Sequence, residues 1–413
     1  MKKLLVVSLL SVIALLFLGT NASATNGMRL IGFGPIQDSM GGASVGTPLD
    51  SATVVTNPAG MSFLSGRVDF GASYFRPTVE YKATESAGMG GMVIGANDKT
   101  IDSDRGGSPI PAFGVIIPIN DRMNFGIGAY GLCGMGVDYA SNLYSGTTYT
   151  SYSMLRFAPG LSYKINDKVA VGGTLHVMYA TMAFNAAGGF GQQPHMSAES
   201  YGFGGTLGVL YKPVDILQVG LAYETKSYFQ DFEFNTAKGV DKLEFHQPQN
   251  ATIGFGIKPI PALLIGFDLQ WIRWSETNGK NLPSYSQNSS GAMPWDMDWD
   301  NQFVYKLGVQ YTLNPTIALR AGYNYGKMPL NADRAFENIA FPAIAEHHFT
   351  AGIGINLTKQ FTLNLGGMYA PTATLTGSNA GSPFPPTPSG QGIANYETKM
   401  SQYALDMGLS YVF

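Results

Sequence analysis

The sequence predicts an all-β fold: a transmembrane antiparallel β-barrel of about fourteen strands with an N-terminal hatch in its lumen. Three observations carry the barrel: strands in which apolar and polar residues alternate, connections that are short and long in turn, and few charges beside many aromatics. Charged residues make up 13% of the chain, against ~25% in average proteins. The 52 glycines, 22 tyrosines and 24 phenylalanines accompany a mean hydropathy of only +0.03. A strand shared between lipid and water has this balance, because successive side chains point to opposite faces.

The last strand shows the alternation most plainly. In SQYALDMGLSYVF, Tyr403, Leu405, Met407, Leu409, Tyr411 and Phe413 share one face, while Gln402, Ala404, Asp406, Gly408 and Ser410 share the other. The same pattern runs through Tyr305 to Thr312, Leu319 to Tyr325 and Leu217 to Glu224. Strands are expected near 66–76, 110–118, 123–132, 153–165, 168–180, 199–212, 216–228, 250–258, 262–275, 301–313, 316–327, 347–357, 360–370 and 399–413. Tight links (PINDR, INDK, KPVD, KPIPA, LNP, LTK) take turns with long ones rich in Gly, Ser, Asn and Pro. Outer-membrane barrels have short periplasmic turns and long outer loops, with aromatic girdles at both interfaces. Both termini therefore belong on the periplasmic side, and GSNAGSPFPPTPSGQG, 377–392, reads as an outer loop.

Residues 1–24 combine two lysines, an apolar run from Leu4 to Leu18 and the small residues Ala22-Ser23-Ala24, the pattern of a secretory signal. Past it, no run approaches the ~18 apolar residues of a spanning helix. Residues 25–64 fit neither the signal nor the strands, leaving 65–413 as the barrel. They hold Gly32, Gly34, Gly41, Gly42, Gly46 and Gly60 and the block Asn57-Pro58-Ala59-Gly60. Glycine lets the backbone bend sharply, and Pro58 biases Asn57 away from helix. A compact body of short turns is expected. Because both ends of the barrel lie on one side, this body either folds into the lumen or dangles below it, and its low charge favours the lumen.

A Gly- and Ala-rich N-terminal segment ending in NPAG just before the first strand resembles the outer-membrane long-chain fatty acid transporter family, the FadL type. The stretches SPIPAFGVIIPINDRMNFGIGAYG, LRFAPGLSYKINDKVAVGGTL, GFGGTLGVLYKPVDILQVGLAYETK and IALRAGYNYGKMP are similar to successive hairpins of that family, in its order. The resemblance implies a fourteen-strand barrel with a lumenal hatch that takes up fatty acids or aromatic hydrocarbons. Met28, Leu30, Ile31 and Phe33 would then touch substrate, while Asn57 to Gly60 make the turn from hatch to wall.

Met182, Phe184 and Phe190 in the third long loop, and Phe229, Phe232 and Phe234 in the fourth, are costly to leave in water unless they pack together or meet a greasy ligand. In the family these loops resemble a landing groove. A fatty acid would also bring a carboxylate, which wants a cationic partner when buried. Alternation aims Arg156, Lys306 and Arg320 at the lumen, and Lys327 tops its strand; equally, such arginines pair with carboxylates such as Asp268 or Asp406 to hold the interior. Strand three carries Gly126, Gly128, Gly131, Gly134 and Gly136, and strand four has Pro159, so the seam between them is expected to be poorly hydrogen-bonded. The family's lateral opening is a kink in strand three, which implies an exit for substrate into the bilayer. Glycine for close packing against the hatch is the simpler account.

Other chemistry is thinly supported. Asp296, Asp298 and Asp300 in the WDMDWD segment form a solvated rim more readily than a calcium site. His176, His195, His246, His347 and His348 show no metal-ligand spacing, with His176 alone placed facing inward within a strand, and there is no phosphate-binding loop. An enzyme is not expected, nor a cofactor. Cys133 excludes an internal disulfide, and a net charge of −3 gives no face for nucleic acid. The expected partners are a hydrophobic small molecule, outer-membrane lipid and lipopolysaccharide, with the chain a monomer in the bacterial outer membrane. A general porin or a non-transport surface protein on the same scaffold is the alternative.

Overall fold

A computed structural model describes residues 26–85, 100–139, 148–185, 195–236, 239–287, 291–294, 296–335, 337–378 and 394–413. The signal segment and most of the 377–392 loop lie outside these residues. Fourteen long strands follow one another around a closed antiparallel sheet: β1 Arg67–Glu85, β2 Ser108–Pro118, β3 Met123–Met135, β4 Thr148–Lys164, β5 Val169–Asn185, β6 His195–Val214, β7 Leu217–Glu224, β8 Asn250–Ile260, β9 Leu263–Ile272, β10 Gln302–Asn314, β11 Ile317–Gly326, β12 His347–Asn356, β13 Phe361–Ser378 and β14 Ala394–Val412. Pairing of β1 with β14, from Arg67↔Val412 to Glu85↔Ala394, closes the barrel and leaves no free edge.

Alternation decides which face is which. On β14, Leu405 and Met407 are each 63% exposed on the outside, while Gln402, Ala404, Asp406 and Ser410 are buried inside. Tyr163, Tyr211, Tyr311 and Phe413 ring the end with the tight turns, and Tyr201, Phe303, Phe349 and Tyr369 lie toward the loop end. Several strands outrun their expected ends; β1, β4, β5, β6, β13 and β14 continue past the ~9–11 residues that cross a bilayer. Above them, the fourth and fifth outer connections, read as loops from the sequence, contribute a four-stranded antiparallel sheet: Phe232–Thr236, Gly239–Glu244, Ser284–Gln287 and Gly291–Pro294.

The lumen is filled by residues 26–64, folded as helix α1 (Pro35–Ser39), helix α2 (Thr53–Thr56) and a 3-10 turn (Pro58–Phe63). A barrel of this size leaves a space that side chains alone do not fill. Here the chain's own start supplies the packing.

Candidate functional site

The N-terminal segment is seated on the wall through its backbone. Asp268 on β9 accepts from the Ser44 and Val45 amides at 2.8 and 2.9 Å. Thr350 on β12 takes the Gly41 N–H and donates to Ser39 O, and Thr174 on β5 donates to Val54 O at 2.7 Å. Asn57 is fully buried; its amide donates to Val45 O within the segment and to Val209 O on β6, while its side-chain oxygen caps Ala59 N. Pro58, Ala59 and Gly60 lie in the turn that follows, where a Cβ on Gly172 of β5 would come within 2.5 Å of the Pro58 backbone. Only glycine on the wall admits that approach. Gly32 and Gly34 lead into α1, with Gly34 at φ +82°, a conformation that glycine takes freely.

Near the start of the segment lies a buried ionic cluster. Arg29 donates to Glu224 at the end of β7 through two nitrogens, at 3.2 and 2.7 Å. Arg156, on β4 and wholly buried, donates to Oε1 of the same carboxylate, the oxygen that Arg29 Nη1 also reaches. Asn250 on β8 adds a third donor at 3.0 Å and is itself held by Gln270. Arg156 thus pairs with Glu224, not with Asp268 or Asp406: Asp268 is committed to backbone amides, and neither oxygen of Asp406 makes a hydrogen bond. Two guanidiniums share one carboxylate, so the cluster keeps a net positive charge, and Nε and Nη1 of Arg156 have no partner. Lys306 on β10 donates to Ile31 O at 3.1 Å. Arg320 lies in the lumen on β11, tied to Gln310 and Asn364. Lys327 is exposed beyond β11 and does not face the lumen.

Above the ionic cluster the lumen is apolar. Met28 and Ile31 are buried in one continuous cluster with Met182, Phe184, Phe229, Phe232 and Phe234, with Leu30 and Phe33 packed against it. Phe184 meets Phe234 edge-on at 5.0 Å, and Phe232 stacks on Phe234 at 6.4 Å. The aromatics of the two expected landing loops therefore close on one another; Phe190 lies outside the described residues. The cover continues through Trp274, whose ring leaves no room for a Cβ on Gly27, and through Trp299, edge-on to Trp274 at 5.1 Å. Trp299 donates to Asn338 at 2.7 Å, and residues 339–341 and 343–345 are buried below.

The wall has an unpaired stretch one seam away from the expected place. β3 and β4 pair from Met123↔Tyr163 to Met135↔Tyr152 with a single bulge at Leu132 between Gly131 and Cys133. Gly134 is paired within that ladder, Gly126 and Gly128 face Met61 and Val54 of the N-terminal segment, and Pro159 interrupts β4 against β5. β2, by contrast, pairs with β3 only from Ala112↔Tyr130 to Pro118↔Asn124, although it meets β1 along Ser108 to Ile116. Pro109 and Pro111, two residues apart and so turned to the same neighbour, have no N–H to give β3. The side chain of Ile110 lies over Gly131 across the gap, and Asp104 N to Asp138 O, 2.8 Å, bridges above it.

The remaining candidates resolve simply. Asp296 is held by Arg334 at 3.0 Å and by the Asn281 amide, and among the described residues no group of three His, Cys, Asp or Glu side chains could hold a metal. His348 as well as His176 faces inward and is buried, because β12 starts at His347 with its ring outside.

A fourteen-strand barrel with a greasy outer belt, filled by its own N-terminus, defines a plugged outer-membrane transport protein. Residues 34–413 match the family described as outer membrane protein transport protein (OMPP1/FadL/TodX), and the chain belongs to that family. Outer membrane protein P1 of Haemophilus influenzae is 22% identical over 377 residues, spanning 78% of this chain and 80% of that protein. A Pseudomonas aeruginosa FadL homologue superimposes with TM-score 0.75 at 16% identity, over 94% of this chain and 100% of the other. The P. putida toluene transporter TodX does so with TM-score 0.72 at 18% identity, over 93% and 99%. At these identities the structural matches speak for the fold.

Proposed function

We propose that this outer-membrane protein is a channel for diffusion-driven uptake of hydrophobic molecules, long-chain fatty acids or hydrocarbons, with the N-terminal segment as a hatch that rearranges to let them through. The observation that carries this is the filled lumen. Three cavities lined by the segment, among the described residues, measure about 20, 30 and 40 Å³, whereas benzene occupies an apolar cavity of ~150 Å³. Neither a ring nor an acyl chain passes without displacement of the segment.

The path begins at the apolar cover, where Met182, Phe184, Phe232 and Phe234 part to admit substrate, and continues past Met28, Leu30, Ile31 and Phe33. Arg156, with Nε and Nη1 unpartnered beside the apolar cluster, is the group to receive a carboxylate if the substrate carries one. Exit is sideways, through the gap between β2 and β3, so an apolar molecule enters the bilayer without crossing water. Names of the matched structures, which include toluene transporters and a monoaromatic hydrocarbon channel, support this substrate class.

Depletion of the protein in its host, with uptake of labelled oleate, toluene and a small hydrophilic sugar measured side by side, tests the proposal. Loss of oleate or toluene entry with sugar unchanged is expected. Loss of sugar entry alone establishes a general porin instead, and no change in any of the three establishes a non-transport role.

A further inference from the structure

We infer that Asp38 on the N-terminal segment and Asp406 on the wall form a proton-binding site, a carboxyl pair sharing one proton that holds the segment against the seam. Helix α1 carries Asp38 toward β14, where Asp406 points inward opposite Ser73 of β1. Both carboxyls line one cavity of about 30 Å³, together with Ser73, Phe75, Ile110 and Gly131. Asp406 is 4% exposed, and neither of its oxygens makes a hydrogen bond.

Among the described residues no cationic side chain lines the cavity. Lys306, facing Asp38 from β10, gives a hydrogen bond to Ile31 O, and its charge opposes the effect of burial and the neighbouring acids on Asp38 without overcoming it. Arg67 on β1 is bidentate to Asp69, and Arg320 on β11 is engaged by Gln310 and Asn364. Asp50, on the same segment as Asp38, adds another acid and is bonded to Gln37 and the Ala52 amide. Two carboxylates in a water-poor site do not both ionise readily, and the ordinary solution is one proton between them. Burial and the Asp406 charge hold the Asp38 carboxyl well above the usual carboxylate range. A divalent ion fits poorly: the cavity takes only one or two waters, while two carboxylates and a hydroxyl leave most of its oxygen shell to be filled by water.

The cavity lies behind the gap between β2 and β3. Loss of the shared proton puts one charge on the segment and one on the wall there, and their repulsion drives the segment off the exit. This deepens the hatch reading and rests on it.

The native thiol reports the motion. Cys133 is 1% exposed and bridges Arg29 across the segment, so it is reached only when the segment's start leaves the wall. The full chain in liposomes is labelled with a maleimide from pH 5 to 9, each rate divided by that of the unfolded chain at the same pH to remove thiol ionisation. The normalised rate is expected to climb with pH by up to tenfold per unit between the ordinary carboxylate range and the pair's own raised titration and to level off above it, and Asp406→Asn and Asp38→Asn are expected to flatten it. Heat-modifiable gel mobility confirms that each variant barrel is folded, and with two variants on opposite sides of the cavity the test survives the failure of one. An unchanged slope in both variants overturns the proposal, as does a rate governed at fixed pH by sodium or by calcium and its chelation. Oleate uptake in the same liposomes separates the two readings: pH-dependent labelling without uptake overturns the transport function alone, and uptake with a flat pH profile overturns the proton site alone.

Discussion

The two halves of the N-terminal segment are held in different ways. Residues 39–57 are fastened around the barrel by backbone bonds to β5, β6, β9 and β12, through Thr174, Val209, Asp268 and Thr350. Residues 26–33 are held among the described residues by the Arg29 pair with Glu224, by Leu30 N to Leu132 O at 3.2 Å and Lys306 to Ile31 O, and by Gln247 to the Met28 sulfur. Beyond these they offer apolar contacts, and the Asn26 side chain has no partner. On the proposed hatch mechanism, the difference makes one end the anchor and the other the part that moves. It also places the moving end where the apolar cover and the wall gap meet.

The largest test of that contrast is Glu224→Gln. Breaking a buried ion pair by removing one partner costs ~3–5 kcal/mol, because the remaining charges stay buried. Hydrogen exchange is expected to quicken at residues 27–33 while 41–57 hold; equal loosening of both would break the comparison. Next is Asn57→Ala, which strands the Val45 and Val209 carbonyls and removes a cap, at ~1–3 kcal/mol per buried group left unsatisfied. It loosens 44–60 first, the reverse order, read by the same exchange experiment.

Acidity gives a smaller, graded effect. Burial pushes the Asp50 carboxyl up to about 7, with the Asp69 charge adding and Arg67 opposing. An acid with a raised value in the docked state binds its proton more tightly there than when released. Its contribution to docking is therefore complete below the ordinary value of 3.8 and is lost as pH rises through about 7. Asp50→Asn is expected to remove that part of the pH dependence of exchange in the segment. Smallest is Lys327→Ala: on an exposed rim it should change stability by no more than about 0.5 kcal/mol and leave oleate uptake unaltered. A marked loss of uptake would return Lys327 to the substrate path.

The wall was legible because a strand between lipid and lumen repeats every two residues, and β14 shows this from Gln402 to Tyr411. Legibility failed where that contrast fades. Beyond the bilayer both faces are wet or packed, so β1 and β4 outrun their alternating cores, and the sheet built from Phe232–Thr236 and Gly239–Glu244 is too short to announce itself. Arg156 was readable as lumenal. Its partner was readable only as another inward residue: Glu224 falls in register with Gln218, Gly220 and Ala222, and nothing in LQVGLAYE distinguishes it. The weak seam had a signal in Pro109 and Pro111 of SPIPAF, but the glycines of β3 outweighed it. Those at 126 and 128 turn out to seat Met61 and Val54, which is the packing account of the same residues.

The central claim is that the start of the segment must leave the wall for substrate to pass. Arg29 and Cys133 are partners in an antiparallel bridge, a geometry with Cα atoms ~4.5–5.5 Å apart, within the ~4.4–6.8 Å that a disulfide spans. The variant Arg29→Cys therefore carries its own lock, and the oxidised and reduced forms of one protein can be compared. Oleate or toluene uptake is predicted to stop on oxidation and return on reduction. Equal uptake in the two forms, with the disulfide verified by mass, would contradict the account.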